Sequence, residues 1–414
     1  MFVIFVTPFF TENARRWLET LTALQEVRLG VISQETQEVL PQALRSKLAG
    51  HWRVDDALNS DQLTWAAREL SKTHGQPIRL LAVNEQSQVP AAEVRERLGI
   101  AGMTRETALN FRDKARMKTA FRTANVPCAR FAGVMAEPEA WAFVNQVGYP
   151  ICVKPLAGAA AQSTYRVENA DMLRDVLRAS GPSPAQPLQI EEFVTGSEHS
   201  FETMSLNGQH LWHSLTHYHP TPLEAMRNPW IQWRIVLPRE VDDAQYDDIR
   251  QIGQQALGAL GMQTGLSHLE WFRRSDGSIA VSEVGARPPG AQIVTLNCRA
   301  HDIDLYALWA RLMIFDEFTP PTERKYAAGA AFLRGLGSDG IGHRRGQVKA
   351  VHGLDEVLHD LGGMVTDMRR PEIGQLASIS YEGEGYVLVR HPETCMVEDA
   401  LSQIVARVRV ELVG

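Results

Sequence analysis

Of 414 residues only four are cysteine, at positions 128, 152, 298 and 395. They make neither a CxxC metal pair nor a dense disulfide framework, which points to a reducing compartment. No apolar run reaches the roughly 20 residues that cross a bilayer. The opening MFVIFVTPFF is apolar but short and without a basic leader, so it reads as a buried first strand. A cytoplasmic protein with no membrane partner is therefore expected. Positive charge is also scarce: 42 Lys and Arg against 49 Asp and Glu leave a net charge of -7, which argues against a nucleic-acid partner. Two phosphate-binding fingerprints are missing. No GxGxxG follows the first strand and no GxxxxGK[ST] occurs anywhere, which excludes the usual dinucleotide and P-loop readings.

What remains is a long, mixed chain, 44% hydrophobic and 22% charged, too large for one core. Residues 2–6 read as a strand, Glu12 to Leu24 as a helix capped by Thr11, and Val27 to Ile32 and Leu80 to Val83 as further strands. A helix from Ala91 to Leu98 follows Pro90. Strands alternating with helices imply a doubly wound parallel sheet. Glu85 closes a strand, as a ligand contact or as a capping or surface carboxylate.

The informative stretch is LEWFRRSDGSIAVSEVGARPPG, Leu269 to Gly290. An Asp276-Gly277 turn joins two strands, one carrying Glu270 and the other Glu283. Opposed side chains on such a ladder lie about 4.5–5.5 Å apart. Two bare carboxylates there repel, and a hard cation such as Mg²⁺, which also binds phosphates, relieves them. Arg287 at the strand's mouth has the fork that holds a phosphate. The alternative is an exposed acidic hairpin.

Elsewhere the same chemistry recurs in fragments. Thr104 to Asn125 reads as one basic helix in which Lys114 and Lys118, four apart, share a face suited to a polyphosphate or to solvent. A strand delivers Lys154, and the small-residue loop Ala157 to Ser163 offers backbone amides plus Ser163 and Thr164 to an anion. Apolar strand residues run into Glu191 and Glu192, and a chain passing between subdomains there can read a purine edge, with Glu198 accepting ribose hydroxyls. His213, His217 and His219 alternate on one strand face without cysteine or HxxxH partners. A substrate pocket or an ordinary polar strand fits them better than zinc. HPTPLEAMRNPW after them is loop-like, and Asp242 to Leu260 is a helix ended by Gly261. His217, His219, Arg227 and Trp233 lie in a polar and aromatic insertion, and Arg227 or Arg299 can hold a substrate carboxylate or form a surface ion pair. Ile303 to Phe315 is helical, short strands with glycine turns follow residue 325, and Thr394 to Val408 is a terminal helix.

Together these residues resemble the ATP-grasp superfamily over nearly the whole chain. Arg112-Asp113-Lys114 with Met117-Lys118 resembles the helix opening its nucleotide region, Lys154-Pro155 its second phosphate lysine, and Glu191-Glu192-Phe193-Val194 its interdomain hinge. Glu198 resembles the ribose-binding glutamate, and Glu270, Glu283 and Arg287 the two metal acids and the phosphate arginine. GARPPGAQ and the Glu198 to Glu202 spacing in EHSFE look most like the carboxylate-amine branch, the amino-acid and dipeptide ligases, related in fold to biotin carboxylase and D-alanine-D-alanine ligase. The resemblance implies an α/β and α+β multidomain fold: an N-terminal domain over 1–103, an ATP-grasp domain over 104–320 with a lid subdomain at about 128–193, and a C-terminal mixed domain over 321–414 that closes on the core. It implies ATP with Mg²⁺ or Mn²⁺, two ions in number, an acyl phosphate intermediate, and small-molecule carboxylate and amine substrates, with Glu202 near the substrate. Two features depart from the pattern. Gly285 stands where Asn commonly supplies a metal oxygen, which weakens the second ion, and Ala159 to Ala161 make the phosphate loop poor in glycine. Rival readings are a bicarbonate-using carboxylase or carbamoyl-phosphate enzyme, and a non-catalytic nucleotide-binding regulator. A homodimer is expected, since closed homo-oligomers are common.

Overall fold

The computed structural model describes residues 1–155, 165–228, 230–337 and 346–413. Its first unit is a parallel sheet of β1 (Phe2–Val6), β2 (Arg28–Ser33), β3 (Gly50–Arg53) and β4 (Arg79–Ala82) in the order β3-β2-β1-β4. All five β1 residues are buried because both faces are covered. Trp17, Leu18 and Leu21 of α1 (Glu12–Ala23) pack on one side. A short α2 (Gln42–Arg45) adds Leu44 there, and α3 (Ser60–His74) and α4 (Gln88–Leu98) close the other side. Such doubly covered strands read as continuous apolar runs. The Thr11 hydroxyl accepts from Ala14 N, as the capping signal predicted.

One helix was expected over Thr104 to Asn125, and the structure corrects this to two. Helices α5 (Arg105–Arg112) and α6 (Lys114–Thr123) break at Asp113, whose extended backbone (φ -93°, ψ 110°) ends the first while its carboxylate caps Ala115 N and Arg116 N of the second. A side chain that bonds its own backbone competes with helix continuation.

The next unit is an antiparallel sheet of β5 (Phe131–Val134), β6 (Ile151–Pro155), β7 (Tyr165–Val167) and β8 (Leu188–Glu192), ordered β5-β8-β6-β7. Helices α7 (Glu137–Val147) and α8 (Ala170–Ser180) cover its apolar face.

The largest sheet begins with the hairpin β9 (Ser197–Leu206) and β10 (Gln209–His219), turned at Asn207 and Gly208, both with positive φ. It adds β11 (Trp233–Leu237), β12 (Gly265–Arg273), β13 (Ile279–Gly285) and β14 (Ala327–Leu333). The stretch after His219 that read as loop contains α9 (Pro222–Arg227), capped by Thr221. Helix α10 (Asp247–Leu260), ended by left-handed Gly261, packs behind β9 and β12, and α11 (Ile293–His301) and α12 (Leu305–Phe315) follow β13. Short β15 (Leu336–Gly337), β16 (Gln347–His352) and β19 (Arg409–Val413) form a small mixed sheet. Helices α13 (Leu354–Leu361) and α14 (Thr394–Arg407) support it, while β17 (Val365–Arg369) and β18 (Gly385–His391) join the large sheet, ordered β13-β12-β9-β10-β11-β14-β18-β17. Because β11 pairs with β14 over five residues, the sheet runs unbroken past residue 320. No described helix is long and apolar enough to cross a membrane.

Candidate active site

Glu270 and Glu283 are direct partners on the β12–β13 ladder, and the register slips just beyond them. Gly277, at φ 85°, makes the turn; the register it sets pairs Trp271 with Val281, and the irregularity that skips Ser282 brings Glu283 opposite Glu270. The Lys114 ammonium lies 2.7 Å from Glu283 Oε2. Burial works against charge on Glu283, yet Lys114 and Lys154 outweigh it and bring the carboxyl down to about 2. Glu198 on β9 feels the opposite balance. Burial, then the charges of Glu270 and Glu283, push its carboxyl well above the usual range. Three acids thus converge, a donor set that suits a hard divalent cation. Among the described residues no three His, Cys, Asp or Glu side chains form a ready metal cage. Mg²⁺ held by two carboxylates and completed by phosphate oxygens and water requires none.

A second charged cluster sits one step away. Lys154 Nζ is 2.9 Å from Glu191 Oε1 and Lys118 Nζ is 3.8 Å from the same oxygen, all three side chains being buried. Lys154 holds the closer place. Burial opposes its charge, but Glu191 overrides that and raises its pKa, whereas burial dominates for Lys118 and lowers it. Lys118 also donates to Val281 O at 3.1 Å. Glu192 bonds outward to Arg130 (2.6 Å) and Arg274 (3.0 Å). At Gly196 (φ 151°) the chain turns into β9 so tightly that a Cβ there would lie 2.1 Å from Arg273 O.

Arg287 approaches Glu85 of the N-terminal unit, with Nε at 3.0 Å and a terminal nitrogen at 2.8 Å, and Arg112 reaches the same carboxylate at 3.4 Å. One cavity of about 970 Å³ is lined by these groups, Arg112, Arg130, Arg273 and Arg274 excepted. Lys114, Lys154, Glu191, Glu192, Val194, Glu198, Glu270, Glu283, Arg287 and Arg227 therefore meet in one place. At the end near Arg287 its walls are Tyr218, Trp233 and Tyr381.

Other expected residues are placed elsewhere. Ser163 and its loop lie outside the described residues. His217 and His219 occupy the face of β10 opposite Tyr218 and do not line the cavity. His217 contacts Tyr246 OH (3.1 Å) and the His199 ring. Arg299 forms a two-pronged ion pair with Asp367, both contacts 2.6 Å, and is not among the residues lining the cavity, as in the ion-pair reading of the two left open. Glu202 is 1% exposed and fully engaged by Ser200, Thr216 and His268, so it is no free substrate ligand.

Four lining residues were missed or left open. His268 carried a signal, standing two positions before Glu270 and so on the same strand face. Burial opposes its charge, but hydrogen bonds to Glu202 and Glu270 raise it to about 9. Tyr218 alternates with the three histidines, and Glu85 was left between two readings. Tyr381 had no signal, since it arrives from a loop before β18.

Residues 119–302 match the model of the ATP-grasp domain. The L-arginine-specific L-amino acid ligase of Bacillus subtilis is 27% identical over 278 residues, 65% of this chain and 66% of that protein, just under two thirds of its length. Among solved structures, an L-amino acid ligase from Bacillus licheniformis superposes with a TM-score of 0.81 at 17% identity, covering 100% of this chain and 99% of its own. The biotin carboxylase domain of Hydrogenobacter thermophilus 2-oxoglutarate carboxylase, a dimer holding MgADP, ADP and bicarbonate, gives 0.72 at 15% identity, covering 100% and 91%. At such identities the structural likenesses show the fold.

Proposed function

We propose that this chain, which carries an ATP-grasp domain over residues 119–302, is an ATP- and Mg²⁺-dependent ligase that joins a small carboxylate to an amine. The observation that carries the reading is the meeting of the opposed acids Glu270 and Glu283 with Lys114, Lys154 and Arg287 around one cavity. Amino acids are the substrate class it favours, in line with the ligases it resembles.

In this reading the adenine lies against the Glu191 to Val194 hinge and the ribose near Glu198. Lys114 and Lys154 neutralise the α and β phosphates. Glu270 and Glu283 would hold Mg²⁺, which would supply positive charge to the phosphates. Arg287 leaves Glu85 to stabilise the γ-phosphoryl group as a substrate carboxylate oxygen attacks it, giving an acyl phosphate and ADP. An amine then attacks the acyl carbon and phosphate departs. These residues act by position and charge, and enclosure by the walls keeps water from the acyl phosphate. Arg227 at the cavity rim is a candidate for a substrate carboxylate. Soluble carboxylate and amine metabolites are the partners, and a homodimer is the proposed assembly.

The test is Mg²⁺-dependent ADP release against a matrix of amino acids and small carboxylates, singly and in pairs, with bicarbonate as a separate arm. Release requiring a carboxylate and an amine together supports the ligase. Release requiring bicarbonate alone moves the chain to the carboxylases, and ATP binding without release under any condition overturns the enzymatic reading.

A further inference from the structure

Along the cavity-facing side of the large sheet, strand alternation puts Glu198, Ser200 and Glu202 on one face of β9, with Thr216 and Tyr218 of β10 and His268 and Glu270 of β12 beside them. Glu202 is sealed beneath this surface. One of its oxygens accepts from Ser200 Oγ (2.6 Å) and meets His268 Nδ1 at 2.8 Å, and the other accepts from Thr216 Oγ1 at 3.2 Å. A carboxylate so committed and so buried can orient a neighbour but cannot touch a ligand. The neighbour is His268, whose Nε2 stands 3.5 Å from Glu270 Oε1.

We propose that His268, locked from behind by Glu202, is a positioning residue that sets the orientation of Glu270 toward the divalent cation; this rests on the ligase reading above. A ring bonded through one nitrogen to a rigid buried acceptor has lost its freedom to rotate, so its second nitrogen fixes whatever it meets. The Glu270 side chain is flexible, and no Lys or Arg among the described residues lies within ion-pair distance of it, whereas Glu283 has Lys114. Holding one oxygen of Glu270 in place leaves the other aimed for coordination, and partners of this kind are worth about 10–100-fold in metal affinity. The Glu202–His268 unit therefore does for Glu270 what Lys114 does for Glu283.

The probe is Mn²⁺ binding to the purified full chain with ADP present, read as free Mn²⁺ by electron paramagnetic resonance and so independent of turnover. His268→Ala should weaken Mn²⁺ binding by about tenfold or more, with metal-free ADP affinity unchanged. Glu202→Gln should weaken it in the same direction. The double variant should be no weaker than His268→Ala alone, because Glu202 acts through the ring. His268→Gln, which keeps an N–H donor, should recover part of the affinity and carries the test if His268→Ala fails to fold. Unchanged Mn²⁺ affinity in either His268 variant, or independent additive losses from Glu202 and His268, overturns the proposal. A wild-type chain that binds ADP but takes up no Mn²⁺ with it overturns the metal reading of the site and this inference together.

Discussion

Glu270 and Glu283 stand opposite each other across two antiparallel strands, and the Lys114 ammonium of α6 lies 2.7 Å from Glu283. Glu283→Gln keeps the shape and removes one negative charge. Turnover should fall by at least about a hundredfold, the scale of losing one preorganised electrostatic group, while circular dichroism and melting remain those of a folded chain. ADP release under saturating ATP and Mg²⁺ checks this, and full activity would remove Glu283 from the metal site.

Lys154, Lys118 and Glu191 make a buried triad with two positive charges on one negative. Deleting Glu191 leaves two ammonium groups facing each other without an acceptor, whereas deleting Lys154 leaves Glu191 with Lys118 still at hand. Breaking a buried pair from one side costs about 3–5 kcal/mol. Glu191→Ala should therefore destabilise the chain more than Lys154→Ala does, and the Lys154→Ala/Glu191→Ala double variant should be more stable than Glu191→Ala alone. Urea unfolding of the three variants reads this directly, and additive losses would show that the triad is not coupled.

Much of this site was legible because its chemistry sits on regular elements. The alternation of apolar and polar residues around Glu270 and Glu283, with a strong turn signal between, marks both strands, although the irregularity that puts the two acids opposite each other shows only in the folded ladder; helical spacing marks Lys114 and a strand marks Lys154. The helix from Thr104 was read too long because Asp113 looks helical by composition, while its capping bonds appear only once the chain is folded. The histidines stayed between two readings for a different reason: alternation says that His213, His217 and His219 share a face but not which face meets the cavity. Tyr381 and Glu85 reach the site from segments far apart in sequence, and such long-range convergence leaves no local pattern to read.

His199 and His217 meet edge to face, ring centroids 4.7 Å apart, on the far side of the sheet. Burial lowers both, His199 to about 3 and His217 to about 4. In the unfolded chain each takes up a proton near 6.5, while in the folded chain it stays neutral until far lower pH. Between these values the unfolded state binds more protons, so stability is fully present above about pH 6.5 and declines as pH falls toward 4. At pH 5 the loss is up to about 2 kcal/mol for each ring. The melting temperature should drop clearly from pH 7.5 to pH 5, and His199→Phe should flatten that slope. An unchanged slope in the variant would place the acid sensitivity in other groups.

Gly196 joins the segment after β8 to the start of β9, with the Arg273 carbonyl where a side chain would be. The neighbouring ladder pairs Ser197 with Arg273 and Glu198 with Phe272, so an added methyl group has backbone in its way and cannot be relieved by a rotamer change. Gly196→Ala must push the end of β12 aside or lift the start of β9, and its φ of 151° adds strain of its own. Overpacking costs about 1–3 kcal/mol. The displaced segment carries Glu198 and borders Glu270, so nucleotide affinity should fall along with stability. Melting and calorimetric ADP titration test both effects, and a variant with wild-type values for each would show that the segment tolerates a backbone shift the tight packing argues against.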